Sequence, residues 1–294
     1  MRYKINHTTK YSYDEPVAVG HNLVRLAPLS NAQQTCNSYR LIILPEPSDL
    51  VERVDAFGNR VDYFSIQEAH WGLSLSANSE LTVQERAKPD SNEPWESVRD
   101  AIRTRATPEA ADADLLTFPS ALAPLVPELT AYAAESFPAG RPVLEALADL
   151  TARIHKDFDY DPRATTVTTP VAEAFAKRAG VCQDFAHIEI ACLRSLGLAA
   201  RYVSGYLRTI PPPGKERLVG ADASHAWVSL FCGEAGWVDT DPTNDVFPTS
   251  DHVTVALGRD YADVCPIQGV YVGGGSHEMS VSVDVAPVEE AKAK

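Results

Sequence analysis

The chain has 294 residues, of which 45% are hydrophobic and 22% are charged, values that are ordinary for a soluble globular protein. This length allows one large domain or, in our interpretation, two. The net charge of −14 at pH 7 argues against nucleic acid and anionic membrane surfaces as partners. No apolar run approaches the ~20 residues of a membrane-spanning helix, and residues 1–7 lack the apolar core of a signal peptide. Five cysteines at scattered spacings fit neither a disulfide framework nor paired zinc ligands, so we expect a cytoplasmic protein with free thiols.

Residues 1–85 have the pattern of a small β-domain. Short stretches of alternating apolar residues are separated by turn signals, and no segment has a convincing helical period. The clearest turn is at 55–60, where Gly58 and Asn59 can supply the positive φ angles of a hairpin. No nucleophile and base occur here at a catalytic spacing, so we expect this domain to shape access and stability rather than chemistry. The polar, proline-bearing segment 86–95 predicts a linker to the second domain.

The apolar pattern of residues 96–294 changes from a helical period to a strand period at Gly197. Before that glycine, helices are predicted at 112–115, 122–135, 143–154 and 171–179. Gly180 then has the position of a left-handed C-terminal glycine. After Gly197, strands are predicted at 200–207, 224–231, 236–243, 253–256 and 279–285. We also expect an exposed excursion, a turn-rich segment and a disordered tail, at 210–215, 269–275 and 289–294.

Cys182 stands at the start of a further predicted helix. Apolar residues follow it at spacings of three and four as far as Leu196, which predicts a helix with one buried face. The unpaired N–H groups and the dipole at a helix start favour negative charge. That environment favours the thiolate, which is the nucleophilic form of cysteine. The same N–H groups can face the oxyanion of a tetrahedral intermediate.

A histidine and an aspartate follow on two successive predicted strands. Alternation places His225 on a face of the first strand, and adjacent antiparallel strands lie about 5 Å apart, so it can meet a carboxylate across the pair. Asp239 and Asp241 share a face of the next strand, and alternation does not separate them. Pro242 holds the residue before it extended, which places Asp241 at the rim. With Cys182, these residues have the order of a nucleophile, a base and an orienting carboxylate.

Three segments around these residues resemble the core motifs of the transglutaminase-like superfamily. They are GVCQDFAH at 180–187, SHAW at 224–227 and GWVDTDPTN at 236–244. Residues 1–85 are similar to the N-terminal domain of the bacterial transglutaminase-like proteins, through YSY at 11–13, RLAP at 25–28 and DAFGN at 55–59. The segment GRDY at 258–261, with Pro266 and Gly269, resembles the C-terminal extension of the same subfamily.

The resemblance implies an α+β protein. A β-sandwich-like domain at 1–85 and a linker at 86–95 would precede a papain-like core of helices packed on an antiparallel sheet at 96–294, which would include the C-terminal extension. By the same resemblance, Cys182 is the nucleophile, His225 the base and Asp241 the third catalytic residue. It implies no cofactor and no metal.

Other candidate residues fit chemistry less well. His187 lies five residues past Cys182, about 140° round the helix, so it should not reach the same sulfur. A zinc site of Cys182, His225 and a carboxylate lacks the ligand motifs of known thiolate sites. The remaining cysteines and three N-terminal histidines are interpreted as structural or solvated: Cys36, Cys192, Cys232, Cys265, His7, His21 and His70.

The predicted function is that of a thiol enzyme that cleaves peptide or isopeptide amide bonds through an acyl-enzyme thioester. Its partner would be a peptide or protein amide substrate, without nucleic acid or membrane. The alternatives are a protein-glutamine acyltransferase and a non-catalytic binding protein on the same fold. Only nine residues separate Trp227 from Trp237, and the segment 209–220 is polar and proline-rich. Because neither suits a lid that excludes water, we expect hydrolysis rather than crosslinking.

Overall fold

The N-terminal part of the chain consists of antiparallel strands, as its alternating pattern predicts. The computed structural model describes residues 1–87, 89–209 and 223–288. The first strands are β1 (Arg2–Val24), β2 (Gln34–Leu44), β3 (Asp49–Val54), β4 (Arg60–Ile66) and β5 (His70–Val83). Together with later segments they form one sheet, in which β2, β5, β1, β4 and β3 are successive neighbours.

β1 is a single strand of 23 residues. Its first half pairs with β5, and after an irregularity between Ser12 and Val17 its second half pairs with β4. Alternate residues from Tyr3 to Thr9 are buried, so one face of the first half points into the protein.

The predicted turn between β3 and β4 is confirmed, although only Gly58 and not Asn59 has a positive φ, and the turn also contacts a segment far along the chain. Asp55 Oδ1 accepts the N–H groups of Phe57 and Asn59 at 2.9 and 3.0 Å, and Gly58 has φ 82°. The Asn59 side chain then pairs with the backbone of Leu257, donating at 2.7 Å and accepting at 2.8 Å. The hairpin therefore fixes the position of the first sheet against the rest of the chain.

Helices and a second sheet follow the linker. The helices are α1 (Trp95–Thr104), α2 (Pro108–Asp114), α3 (Pro127–Ser136), α4 (Val143–Asp157), α5 (Val171–Lys177), α6 (Cys182–Ser195) and α7 (Tyr261–Val264). Between α4 and α6, β6 (Asp159–Tyr160) and β7 (Ala179–Gly180) form a short parallel pair. The second sheet consists of β8 (Ala200–Leu207), β9 (Ala223–Phe231), β10 (Trp237–Thr240) and β11 (His252–Gly258), in the order β10-β9-β8-β11. This mixed architecture confirms the α+β class.

Gly180 does not end a helix, so that prediction is wrong. α5 ends at Lys177, and Arg178 holds the left-handed position with φ 52°. Gly180 instead lies in β7, where an added Cβ would stand 2.5 Å from Oδ2 of Asp184. The glycine is required by this close approach just before Cys182, not by a positive φ.

The C-terminal segment returns to the first sheet. β12 (Ile267–Gly273) pairs with the second half of β1, and β13 (His277–Pro287) pairs with the first half. The turn-rich segment expected at 269–275 is therefore mostly strand, with positive φ confined to Gly273, Gly274 and Gly275. We predicted that this segment belongs to the core at 96–294. Its two strands instead belong to the first sheet, which has seven strands with them. The boundary at 86–95 stays a prediction.

The main hydrophobic core joins both parts of the chain. It extends from the helices through the second sheet to Tyr3, Ile5 and Val283 of the first sheet, with Trp227 fully buried beside it. None of the helices in the described ranges combines the length and the apolar character needed to cross a membrane. The expected excursion at 210–215 and the expected disorder at 289–294 lie outside the described residues.

Candidate active site

Cys182 is the first residue of α6, as the sequence predicts. The helix start is held by Asp184, whose Oδ2 accepts the backbone N–H of Val181 at 2.8 Å and the hydroxyl of Thr165 at 2.6 Å. The N–H groups of the first helical turn have no partner within a helix, so they remain available beside the half-buried sulfur. The chain therefore places a thiol where negative charge is stabilised.

His225 lies on β9 next to that helix start. It pairs with Gly205 of β8, where an added Cβ would clash with the carbonyl oxygen of Val253 and the indole of Trp227. Only glycine leaves room for Trp227 on this face of the sheet. The buried indole then packs near the His225 ring, at 6.1 Å between centroids, and supports the imidazole from one side.

Asp241 follows the last residue of β10 and is fully buried. Its Oδ1 accepts the backbone N–H groups of Thr243 and Asn244 at 2.9 and 3.3 Å. Its Oδ2 accepts Nε2–H of His225 at 2.7 Å, Nδ2–H of Asn244 at 2.7 Å and Nε2–H of His252 at 3.1 Å. The carboxylate is thus satisfied on both oxygens and held in a single orientation.

The charges of this pair follow from their contacts. Burial would raise the pKa of Asp241, but the hydrogen bonds from His225 and His252 outweigh it and hold that pKa well below its usual range. Burial would lower the pKa of His225, but hydrogen bonds to Asp241 and Cys182 outweigh it and raise the pKa to about 10. At neutral pH an imidazolium therefore stands between a carboxylate and the sulfur. Because Nε2 faces Asp241, Nδ1 is the nitrogen left for Cys182.

A cavity of about 280 Å³ opens at this point, and both Cys182 and His225 line it. Strands of the first sheet, β1 and β13, contribute to its walls. The nucleophile and the base predicted from the sequence therefore line the same cavity, and Asp241 is hydrogen-bonded to the predicted base.

The chain matches two families of known proteins. The family described as the bacterial transglutaminase-like N-terminal region matches residues 3–82, and the transglutaminase-like superfamily matches residues 130–242. An uncharacterized protein of Mycobacterium tuberculosis is 41% identical over 98% of this chain and 93% of its own length. A Mycobacterium leprae protein is 31% identical over 97% of this chain and 98% of its own.

The chain belongs to the transglutaminase-like superfamily. A crystal structure of a candidate cysteine protease from Cytophaga hutchinsonii has the same fold, with a TM-score of 0.76 and 22% identity, over 99% of this chain and 92% of that one. A protein-glutamine gamma-glutamyltransferase of Pseudomonas aeruginosa is 34% identical over 37% of this chain, which spans 19% of that protein.

Asp239 and Asp241, which alternation leaves unresolved, have different surroundings in this transglutaminase-like site. Asp239 Oδ2 accepts from Arg86 Nη1 at 2.6 Å and from Trp227 Nε1 at 3.3 Å. Asp239 is therefore linked to His225 only indirectly, because the Trp227 indole packs near the imidazole. His187 is buried on α6, where its Nε2 accepts the N–H of Tyr261 at 3.1 Å. Neither residue belongs to the cluster around the sulfur.

Two residues that the sequence interpretation treats as structural do line the transglutaminase-like cavity. His7 bonds to the hydroxyls of Tyr206 and Thr9, and burial lowers its pKa to about 4, so it is neutral at pH 7. Cys265 also lines the cavity, and its thiol donates to the carbonyl of Ile267 at 3.2 Å. Both side chains are hydrogen-bonded to nearby groups, and neither forms a pair of nucleophile and base.

The sequence did not reveal His252 and Asn244, the other two side-chain donors to Asp241. Asn244 closes the segment at 236–244 that resembles the superfamily motif, so its presence there was the available signal. His252 begins β11, eleven residues from Asp241, and no spacing rule links a strand start to a carboxylate that follows another strand.

The residues His225, Asp241 and His252 are of types that can also bind a metal ion. One ligand atom each from His225, Asp241 and His252 lies within 4.8 Å of the others. However, Nδ1 of His252 accepts the N–H of Thr249 at 3.4 Å, so its proton is on Nε2, which points at Asp241. A cation would have to replace the protons that both imidazoles give to one carboxylate oxygen. The donor set therefore fits hydrogen bonding better than metal binding.

Proposed function

We propose that the protein hydrolyses amide bonds of peptides or isopeptides, with Cys182 as nucleophile, His225 as general acid and base, and Asp241 as the orienting carboxylate. One observation carries this proposal. His225 connects the sulfur of Cys182 to a buried carboxylate at the wall of a cavity. A nucleophile, a base and an orienting group in this order are the requirement for acyl transfer through a covalent intermediate.

The chemistry would run in two halves. The thiolate adds to the amide carbonyl, and the oxyanion faces the unpaired N–H groups at the start of α6. The C–N bond then breaks, and the imidazolium of His225 gives its proton to the leaving amine. In the second half, neutral His225 takes a proton from water as the water oxygen attacks the thioester. The acid is released, the thiolate returns as leaving group and His225 is again the imidazolium.

Acyl transfer to an amine is the second candidate, and one observation favours it. The Pseudomonas aeruginosa relative is a glutamyltransferase, and it matches over a third of this chain. Both reactions share the thioester, and they differ only in the nucleophile that reaches it. We favour water because no long aromatic insertion separates Trp227 from Trp237, and exclusion of water is what transfer requires.

The test uses a peptide and isopeptide amide library with the purified full chain, in the presence and absence of an alkylamine. We expect free acid as the main product and no turnover by Cys182→Ser. The matched control is Cys192→Ser, which removes a buried thiol outside the cluster. An amine adduct as the main product at millimolar amine would favour the transferase, and turnover by Cys182→Ser would contradict both candidates.

A further inference from the structure

The cavity beside Cys182 has walls from parts of the chain that are far apart in sequence. Its described lining comes from β1, β8, β9, β13, the start of α6 and residues 261–267. β1 and β13 pair so that Tyr11 lies opposite Met279 and Thr9 lies opposite Val281, and all four line the cavity. The first sheet therefore forms part of the wall of the cavity that Cys182 also lines.

The lining contrasts with the strongly acidic chain. Among the described residues, no aspartate, glutamate, lysine or arginine lines the cavity. His7 is neutral at pH 7 because burial lowers its pKa to about 4, which leaves His225 as the charged imidazole. A cationic side chain placed here would lose water without gaining a partner of opposite sign, and an anionic one would find only His225, which already pairs with Asp241. An apolar side chain would lose only its contact with water.

Exposed apolar side chains continue this surface to the mouth of the cavity. Met279 and Val281 are 58% and 49% exposed although they line it. Near the start of α6, Tyr160 is exposed next to Phe185, and Val167 is exposed where its carbonyl accepts from Gln183. Exposed apolar side chains grouped around a reactive group mark a binding surface. The volume of about 280 Å³ lies just below the ~300–1,000 Å³ of small-molecule sites, which suits a side chain rather than a folded domain.

We propose that this cavity binds an uncharged, apolar side chain of the substrate, carried by the residue that supplies the scissile carbonyl. The proposal rests on the proposed function, because it places that carbonyl at Cys182. The first sheet then determines specificity through Met279 and Val281, while the second domain supplies the chemistry. Substrates with aliphatic side chains at this position would react, and those with lysine, arginine, aspartate or glutamate would be rejected.

The experiment measures inactivation of the full chain by three peptide chloromethyl ketones that differ only in the residue next to the reactive group. That residue is norleucine, lysine or glutamate. Inactivation forms a bond from the Cys182 sulfur to the methylene carbon and releases chloride, so no other reagent is needed. We expect the norleucine probe to react at least about tenfold faster than either charged probe.

Met279→Glu places a carboxylate on the cavity wall and should shift the ratio of the lysine to the norleucine rate upward by about tenfold. The matched control is Ser280→Glu, which adds the same charge to the opposite face of β13. Val281→Glu should shift the ratio in the same direction, so the result does not depend on one variant. Circular dichroism of each variant checks the fold.

Three outcomes are separable. A norleucine preference that Met279→Glu shifts and Ser280→Glu does not supports the proposal. Equal rates for the three probes, or equal shifts in both variants, overturn it, while selective labelling of Cys182 by iodoacetamide would leave the proposed function standing. No reaction of Cys182 with iodoacetamide or with any probe overturns both proposals.

Discussion

His252 donates its Nε2 proton to Oδ2 of Asp241, the same oxygen that accepts the proton of His225. The N–H of Thr249 occupies the other ring nitrogen of His252, so the donating tautomer is held in place. Both histidines and the aspartate are buried. A second imidazole therefore stabilises the carboxylate form of Asp241.

His252→Ala should lower kcat by about 10- to 100-fold, the effect of losing a hydrogen bond to a charged group. Without this donor the pKa of Asp241 rises, so the acid limb of the kcat/KM profile should move to higher pH. His252→Gln retains an N–H donor and should restore part of the activity and of the acid limb. A uniform loss of activity with an unshifted profile would mean that His252 has only a packing role.

Cys182 should react with iodoacetamide at neutral pH before the other four thiols. Burial raises the pKa of Cys36, Cys192 and Cys232 above its usual value, which disfavours their thiolates. Peptide mapping by mass spectrometry after brief labelling measures the order. His225→Gln should slow labelling of Cys182 by about tenfold or more, because the imidazolium partner is lost. Equal labelling of Cys182 and Cys192 in the native protein would contradict the assignment.

Asp241→Asn should reduce kcat by about 10⁴-fold, since an amide does not hold the histidine in its working tautomer. Asp239→Asn is the matched change on the same strand, and it should leave most of the activity. It weakens the contact with Arg86, so we expect a loss of about 1–3 kcal/mol in the free energy of unfolding. Denaturant unfolding and steady-state kinetics of both variants decide the matter. Asp239 is the orienting residue if its variant is the less active of the two.

Glu189 should make stability depend on pH. It is fully buried on α6, shares hydrogen bonds with Thr151 and Thr240, and burial raises its pKa from 4.5 to about 8. The folded protein therefore holds a proton that the unfolded chain releases. This contribution is complete below the unfolded pKa and is lost as pH rises through about 8.

Glu189→Gln removes that titration and retains the shape of the side chain. The free energy of unfolding of the parent protein, taken relative to this variant, should fall between about pH 5 and pH 8. Urea titrations at several pH values measure the difference. Glu173→Gln, a change at an exposed carboxylate, is the control and should leave the pH dependence as in the parent. A constant difference between parent and Glu189→Gln would show that Glu189 is ionised throughout.

The sequence predicts best where local period and motif agree. α6 begins at Cys182 as expected, and β8 has the predicted bounds. Both agree because the period of a buried helix face or of an alternating strand can be read from residues that are neighbours in the sequence. His252 was missed because its role depends on β11 returning beside β8, a non-local pairing. The pairing of β13 with β1 was missed for the same reason, and α1 because the polar linker hides its start.

The pairing of β1 with β13 also has a consequence for synthesis of the chain. The ribosome releases β1 first, then the segment that carries Cys182, His225 and Asp241, and only afterwards β13, which completes the lining of the cavity. During elongation one edge of β1 therefore lacks its partner β13, although Cys182 and His225 have already been synthesised. The cavity that we propose to select the substrate is therefore completed after Cys182 and His225 have been synthesised, so a nascent chain would carry the proposed nucleophile before the proposed specificity site.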